Sequence, residues 1–161
     1  MTNMYNTSID IILNDQNKIF DLKPLKLMKD LNSLNIHICQ NASVDTSYYI
    51  EEDKYMPIND CPNITTIKLK YELSNINSIS KLNNLNFISN LSKLREITII
   101  NATHLTDVKV LYSLDNLNTI TLINCGSSSR LERRKKPPIG DKKASLKISP
   151  KPQEKAATSN R

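Results

Sequence analysis

Residues 73–99 read LSNINSISKLNNLNFISNLSKLREITI. Leu73, Ile76, Ile79, Leu82, Leu85, Ile88, Leu91, Leu94 and Ile97 stand at every third position of this stretch. A strict period of three does not stay on one face of a long α-helix. At 3.6 residues per turn, three residues turn about 300°, so the stripe slips about 60° per step and passes right round the helix. A strand needs period two. Period three fits a chain that turns tightly, in 3₁₀ turns or short extended pieces, around one core. At the end of the run the period changes. Ile97-x-Ile99 alternates by two, which marks a short strand with those two side chains inward.

The same sequence of periods recurs along the chain. Ile19, Leu22, Leu25, Met28, Leu31 and Leu34 lead into Leu34-x-Ile36. Ile58, Cys61, Ile64 and Ile67 lead into Ile67-x-Leu69, and Leu105, Val108, Leu111, Leu114, Leu117 and Ile120 lead into Ile120-x-Leu122. The repeating unit is an irregular, 3₁₀ or helical arm followed by a strand. This predicts an α/β architecture with a short parallel sheet. Strand starts at 34, 67, 97 and 120 are 33, 30 and 23 residues apart.

These units resemble the leucine-rich-repeat family, whose core pattern is L-x-x-L-x-L-x-x-N/C. Leu31-x-x-Leu34-x-Ile36-x-x-Cys39 and Leu117-x-x-Ile120-x-Leu122-x-x-Cys125 fit it. Leu94-x-x-Ile97-x-Ile99 fits with Asn101 one position early, and Ile64-x-x-Ile67-x-Leu69 is followed by Glu72 where Asn or Cys belongs. The arms 19–31 and 105–117 superpose without a gap and share Asp21/Asp107, Lys23/Lys109, Leu25/Leu111 and Leu31/Leu117. They are most similar to the short-repeat subtype of the phosphatase-1 regulatory scaffold and the bacterial internalins. The resemblance covers roughly residues 19–125. It implies a solenoid of about four coils with its strands on a concave face, and says little about activity, because that fold hosts many binding functions.

Two intervals exceed the usual ~20–29-residue repeat. Residues 40–57, with acidic Glu51, Glu52 and Asp53, read as an insertion loop. The 67–97 interval reads either as a longer convex helix or as holding an extra coil around Leu82-x-x-Leu85-x-Phe87-x-x-Asn90. The end coils need caps. Residues 1–18 offer one: Ile9, Ile12 and Leu13 have helical spacing, while Ile9, Ile11 and Leu13 alternate as a strand would. At the other end the pattern stops at Cys125, just after a strand. That leaves an open edge, to be covered by the tail or by another subunit, unless the chain is a shortened relative of a longer array. Self-association through this edge is one expected consequence.

Residues 126–161 change alphabet. Residues 1–125 carry 11 Lys and Arg against 13 Asp and Glu, a net −2; residues 126–161 carry 11 against 3, a net +8. Low hydrophobicity with high net charge predicts a disordered tail. Arg130, Arg133, Arg134, Lys135 and Lys136 form a basic run that fits a nuclear address or a contact to nucleic acid or an anionic surface. Ser145, after Lys142 and Lys143, fits a basophilic kinase, and Ser149-Pro150 a proline-directed one.

Composition excludes several functions. Residues 1–125 contain no glycine, so neither a phosphate loop nor a Gly-x-Ser-x-Gly elbow can be built there. The two histidines, His37 and His104, have no cysteine at metal-ligand spacing. Cys39 and Cys125 fall at the ladder position, where a small buried thiol packs against the turn. No enzyme, cofactor or metal is expected. No stretch approaches the ~20 apolar residues of a membrane span, and no secretory leader is evident. With three widely spaced cysteines, this points to an intracellular protein, cytoplasmic or nuclear.

The strand pattern also lists the outward residues. One row is Ser33, Thr66, Glu96 and Thr119; the next is Asn35, Lys68, Thr98 and Thr121; the third is His37, Lys70, Ile100 and Ile123. Repeat arrays bind partners on this face. Ile100 and Ile123 would form an exposed apolar patch suited to a protein contact, or serve only as strand formers. The expected function is a non-enzymatic adaptor binding a protein partner there. The alternative is a nucleic-acid or anionic-surface binder acting through the basic tail.

Overall fold

The computed structural model describes residues 7–13, 21–40, 52–73, 82–126 and 145–149. Six strands, β1 (Thr7–Leu13), β2 (Leu31–Gln40), β3 (Thr66–Leu73), β4 (Glu96–Ile100), β5 (Thr119–Ile123) and β6 (Ser145–Ser149), form one sheet. Their order in the sheet is their order in the chain, and every pairing is parallel. Short 3₁₀ segments, at Lys23–Leu27, Glu52–Asp60, Asn86–Ile88 and Lys109–Ser113, stand between successive strands from β1 to β5. This is a parallel sheet backed by tight helical turns, an architecture of the α/β kind.

The register follows from the period-two residues. Ile9, Leu34, Ile67, Ile97 and Ile120 are neighbours in one ladder, and Ile11, Ile36, Leu69, Ile99 and Leu122 in the next. From β2 to β5 all of these are buried. A one-residue slip would turn each of them out to solvent, so burial of one face fixes the register.

The period-three residues explain the arms. The Met28 N–H donates to the Leu25 carbonyl and the Leu31 N–H to that of Met28. Ile64 and Cys61, Leu91 and Ile88, Leu94 and Leu91, and Leu117 and Leu114 repeat the bond. Each bond spans three residues, so with about 3.0 residues per turn an apolar residue at every third position faces one side. Leu25, Ile58, Ile64, Leu85, Ile88, Leu91, Leu94 and Leu111 thereby join the inward strand residues in one core, and Phe87, between two of them in sequence, is buried with them.

Asparagine side chains tie one arm to the next. The Asn63 amide donates to the Lys29 carbonyl at 2.7 Å and the Asn116 amide to that of Ser92 at 2.7 Å. Asn59 donates to the Asn86 carbonyl and accepts from the Asn90 N–H, both at 3.2 Å. After β4 and β5 the chain turns at Asn101 (φ 64°) and Asn124 (φ 52°), the two non-glycine residues with positive φ among those described. Asn is one of the few residues that tolerates this conformation. The Asn101 amide reaches the Tyr71 carbonyl at 2.7 Å, and the Asn124 amide reaches Asn101 Oδ1 at 3.1 Å. Just beyond, the Cβ that an alanine at Gly126 would carry meets the Thr103 carbonyl oxygen at 2.4 Å, so this position admits glycine alone without movement.

Several expectations change. Thr7–Leu13 is the strand rather than the helix of the two N-terminal readings: Ile9, Ile11 and Leu13 turn toward the core while Ile12 is 63 % exposed. The insertion loop is shorter than 40–57. Its end, from Glu52, is a 3₁₀ segment whose Tyr55 is fully buried, extending the second apolar run by one step; residues 41–51 lie outside the described residues. Neither reading of the 67–97 interval holds where it is described. β3 pairs directly with β4, which leaves no place for an extra coil, and residues 82–95 hold one 3₁₀ turn rather than a long helix. Finally, a disordered tail does not account for Ser145–Ser149. This segment pairs with β5, placing Leu146 beside Ile120 and Ile148 beside Leu122. Of the two ways to cover the edge left after β5, by the tail or by another subunit, the tail is the one observed.

Candidate protein-interaction face

The sheet's second face carries the outward residues. The three rows predicted from sequence are in register across β2 to β5: Ser33, Thr66, Glu96, Thr119; Asn35, Lys68, Thr98, Thr121; and His37, Lys70, Ile100, Ile123. β1 adds Ser8, Asp10 and Ile12 at their heads. All of these are exposed or half-buried, in contrast to the buried ladders that alternate with them. Ile100 and Ile123 are half-buried rather than exposed, because each is flanked by neighbouring strands; the most exposed apolar side chain of the face is Ile12.

The β1–β3 half is charged. A depression of about 320 Å³ is lined by Asp10, Ile12, Asn35, His37, Lys68 and Lys70, with Ile11 and Ile36 at its floor. The Asn35 amide donates to Asp10 Oδ1 at 2.5 Å. At its border, Glu72 binds His37 Nε2 through Oε2 at 2.8 Å and the Lys70 ammonium through Oε1. The Lys70 bond, aided by His37, holds the Glu72 carboxyl below its ordinary range, against a smaller opposing effect of desolvation. Lys68 is exposed in the middle of the face. On the β4–β5 half Glu96 is exposed at the start of β4, while Thr98, Thr121, Ile100 and Ile123 are uncharged.

Cys39 and Cys125 share one position in the sequence pattern but not in space. Cys125 is buried, with Ile99 and Ile123 carbonyls at 3.5 Å, as expected. Cys39 is half-buried on the outward face, 3.3 Å from His37 Nε2 and 3.9 Å from Glu72 Oε2. The backbone causes the difference. The positive-φ turn at Asn124 throws the next residue inward, whereas β2 runs straight on to Gln40, with Ile38 as its third inward residue and Cys39 outward. Sequence spacing gave no histidine and cysteine placed as a pair of metal ligands, yet the structure brings two such side chains together. His37 and Cys39, two apart on one strand, share a face.

Sequence reasoning missed Asp10, Ile12, Cys39 and Glu72 on this face. The alternation of Ile9, Ile11 and Leu13 was the available signal for the first two. Of the tail residues, Arg130, Arg133, Arg134, Lys135 and Lys136 lie outside the described residues. Ser145 and Ser149 are the ends of β6, beside Thr119 and Ile123 in register. Among the described residues no helix is long and apolar enough to cross a membrane. Compared with protein-family models, with curated proteins and with solved structures, the chain matches none.

Proposed function

We propose that this chain is a solenoid of the leucine-rich-repeat kind and a non-enzymatic interaction module, docking a protein partner on its open strand face. The observation that carries the reading is the sheet itself: six parallel strands in chain order, with all arms sharing the core of one face and three rows of side chains accessible on the other. The face also has two chemistries side by side. Exposed Lys68 at the charged depression suits an acidic group, and half-buried Ile100 and Ile123 suit an apolar side chain. Mixed surfaces of this type supply the polar rim and apolar centre of a protein contact.

A photo-crosslinking amino acid placed at Thr98 or Thr121 tests this, with Leu27 and Met56, exposed on the arms, as controls. The expected result is an adduct of one discrete mass from the strand-face positions only. Lys68→Glu then lowers its yield by about tenfold, the loss of one well-placed contact. Equal adducts from both surfaces contradict the proposal. Capture that needs only residues beyond Gly126 and vanishes with salt supports the basic tail instead.

A further inference from the structure

The geometry points to a zinc site on the outward face, with His37, Cys39 and Glu72 as its protein ligands. This inference does not rest on the docking proposal. The three side chains come from neighbouring strands in a fixed register: Cys39 is the partner of Glu72, and His37 is the partner of Lys70. Strand alternation puts His37 and Cys39 on one face of β2, and Lys70 and Glu72 on the same face of β3. The arrangement is therefore held by backbone pairing rather than by a loop.

The ligand atoms lie at distances a metal would require. His37 Nε2 is 2.8 Å from Glu72 Oε2 and 3.3 Å from Cys39 Sγ, and Cys39 Sγ is 3.9 Å from Glu72 Oε2. Donors at about 2.0–2.3 Å from a tetrahedral zinc stand about 3.3–3.6 Å from each other. Each edge of the triangle is thus within about half an ångström of the zinc geometry. Small side-chain rotations suffice to admit the ion.

The donor set selects the metal class. One thiolate, one imidazole and one carboxylate are borderline-soft, which suits zinc and disfavours calcium and magnesium. Three protein ligands leave a fourth position, and the side chains of His37 and Glu72 are 31 % and 48 % exposed, so water can occupy it. Lys70 bonds Oε1 and leaves Oε2 turned toward His37 and Cys39. It acts as an outer-shell residue that orients the carboxylate. Binding forms a zinc–sulfur bond as the Cys39 S–H bond breaks, and that proton passes to buffer; neither the metal nor the sulfur changes oxidation state.

The alternative is that the cluster is only a hydrogen-bonded tie between β2 and β3. Cobalt(II) and zinc titrations of the full chain separate the two. The site predicts one equivalent of cobalt with thiolate-to-cobalt charge-transfer absorption, displaced by zinc, and up to one proton released per zinc in calorimetry across buffers. His37→Ala, Cys39→Ser and Glu72→Gln each weaken binding by more than about 100-fold, the upper end of what outer-shell changes cost. Cys39→Ser also abolishes the charge-transfer band. All three positions are outward, and circular dichroism checks that the variants stay folded. Absence of the band in the native chain overturns the site, and so does its persistence in Cys39→Ser, where the sulfur would be that of another cysteine such as Cys61 or Cys125.

Discussion

Ile97→Asp unfolds the protein, whereas Thr98→Asp, one residue further on, leaves it folded. Ile97 is fully buried between Ile67 and Ile120 in the inward ladder. A carboxylate there must ionise in an apolar core or stay protonated, and either state costs several kcal/mol on top of the lost apolar burial. Single domains hold only about 5–15 kcal/mol in total. Thr98 lies between Lys68 and Thr121 on the open face and is half-buried. A carboxylate there stays hydrated beside a lysine, and the change in stability is within about 1 kcal/mol. Urea unfolding followed by circular dichroism reads both. Equal damage from the two substitutions would mean that the strand register, and every outward residue derived from it, is wrong.

Stability falls as pH rises above about 9. Burial pushes the Cys61 and Cys125 thiols up, and burial together with Tyr71, whose hydroxyl lies 2.9 Å away, pushes Tyr55 well up. Above about pH 8.5 for a thiol and about pH 10 for tyrosine, the unfolded chain loses these protons while the folded chain keeps them. The folded state then binds more protons, so stability declines as pH rises, by up to about 1.4 kcal/mol per pH unit for each group. Below those values the contribution is complete. Glu72 works at the acid end with the opposite sign, since its lowered carboxyl helps the folded state only while ionised, and its exposure keeps the effect small. Urea midpoints at pH 7, 9 and 10.5 should fall progressively over that series, and Tyr55→Phe should flatten the part above pH 10. A midpoint unchanged at pH 10.5 would show that these groups are not held in the core.

The strands were legible because two periods meet in each repeat. Leu34, Ile67, Ile97 and Ile120 end a run of threes and begin an alternation of twos, and they fall into one ladder. The same rule gave the outward rows from β2 to β5. Tyr55 escaped because an aromatic residue continued a short run of aliphatic ones across a proline, Pro57. Cys39 escaped for a subtler reason. Its pattern matches that of Cys125, and only the turn residue differs: Asn124 admits positive φ, while Ile38, β-branched, does not and keeps β2 extended. The asparagine at the turn, rather than the cysteine, carries the information. The β6 pairing escaped because five residues inside a basic, proline-bearing tail offer a weak strand signal, and the edge they join is what makes them a strand.

The strands run in chain order, which makes the outward face continuous from β1 to β5. Spin labels at Asp10 and Thr121, in a chain carrying Cys39→Ser, test it most directly. Asp10, Asn35, Lys68, Thr98 and Thr121 are successive register neighbours. At about 4.8 Å per strand, four intervals place the two backbones about 19 Å apart. A single narrow distance distribution near that value is expected. A distance below about 12 Å, as when β5 lies within two strands of β1, or a broad distribution, would contradict it.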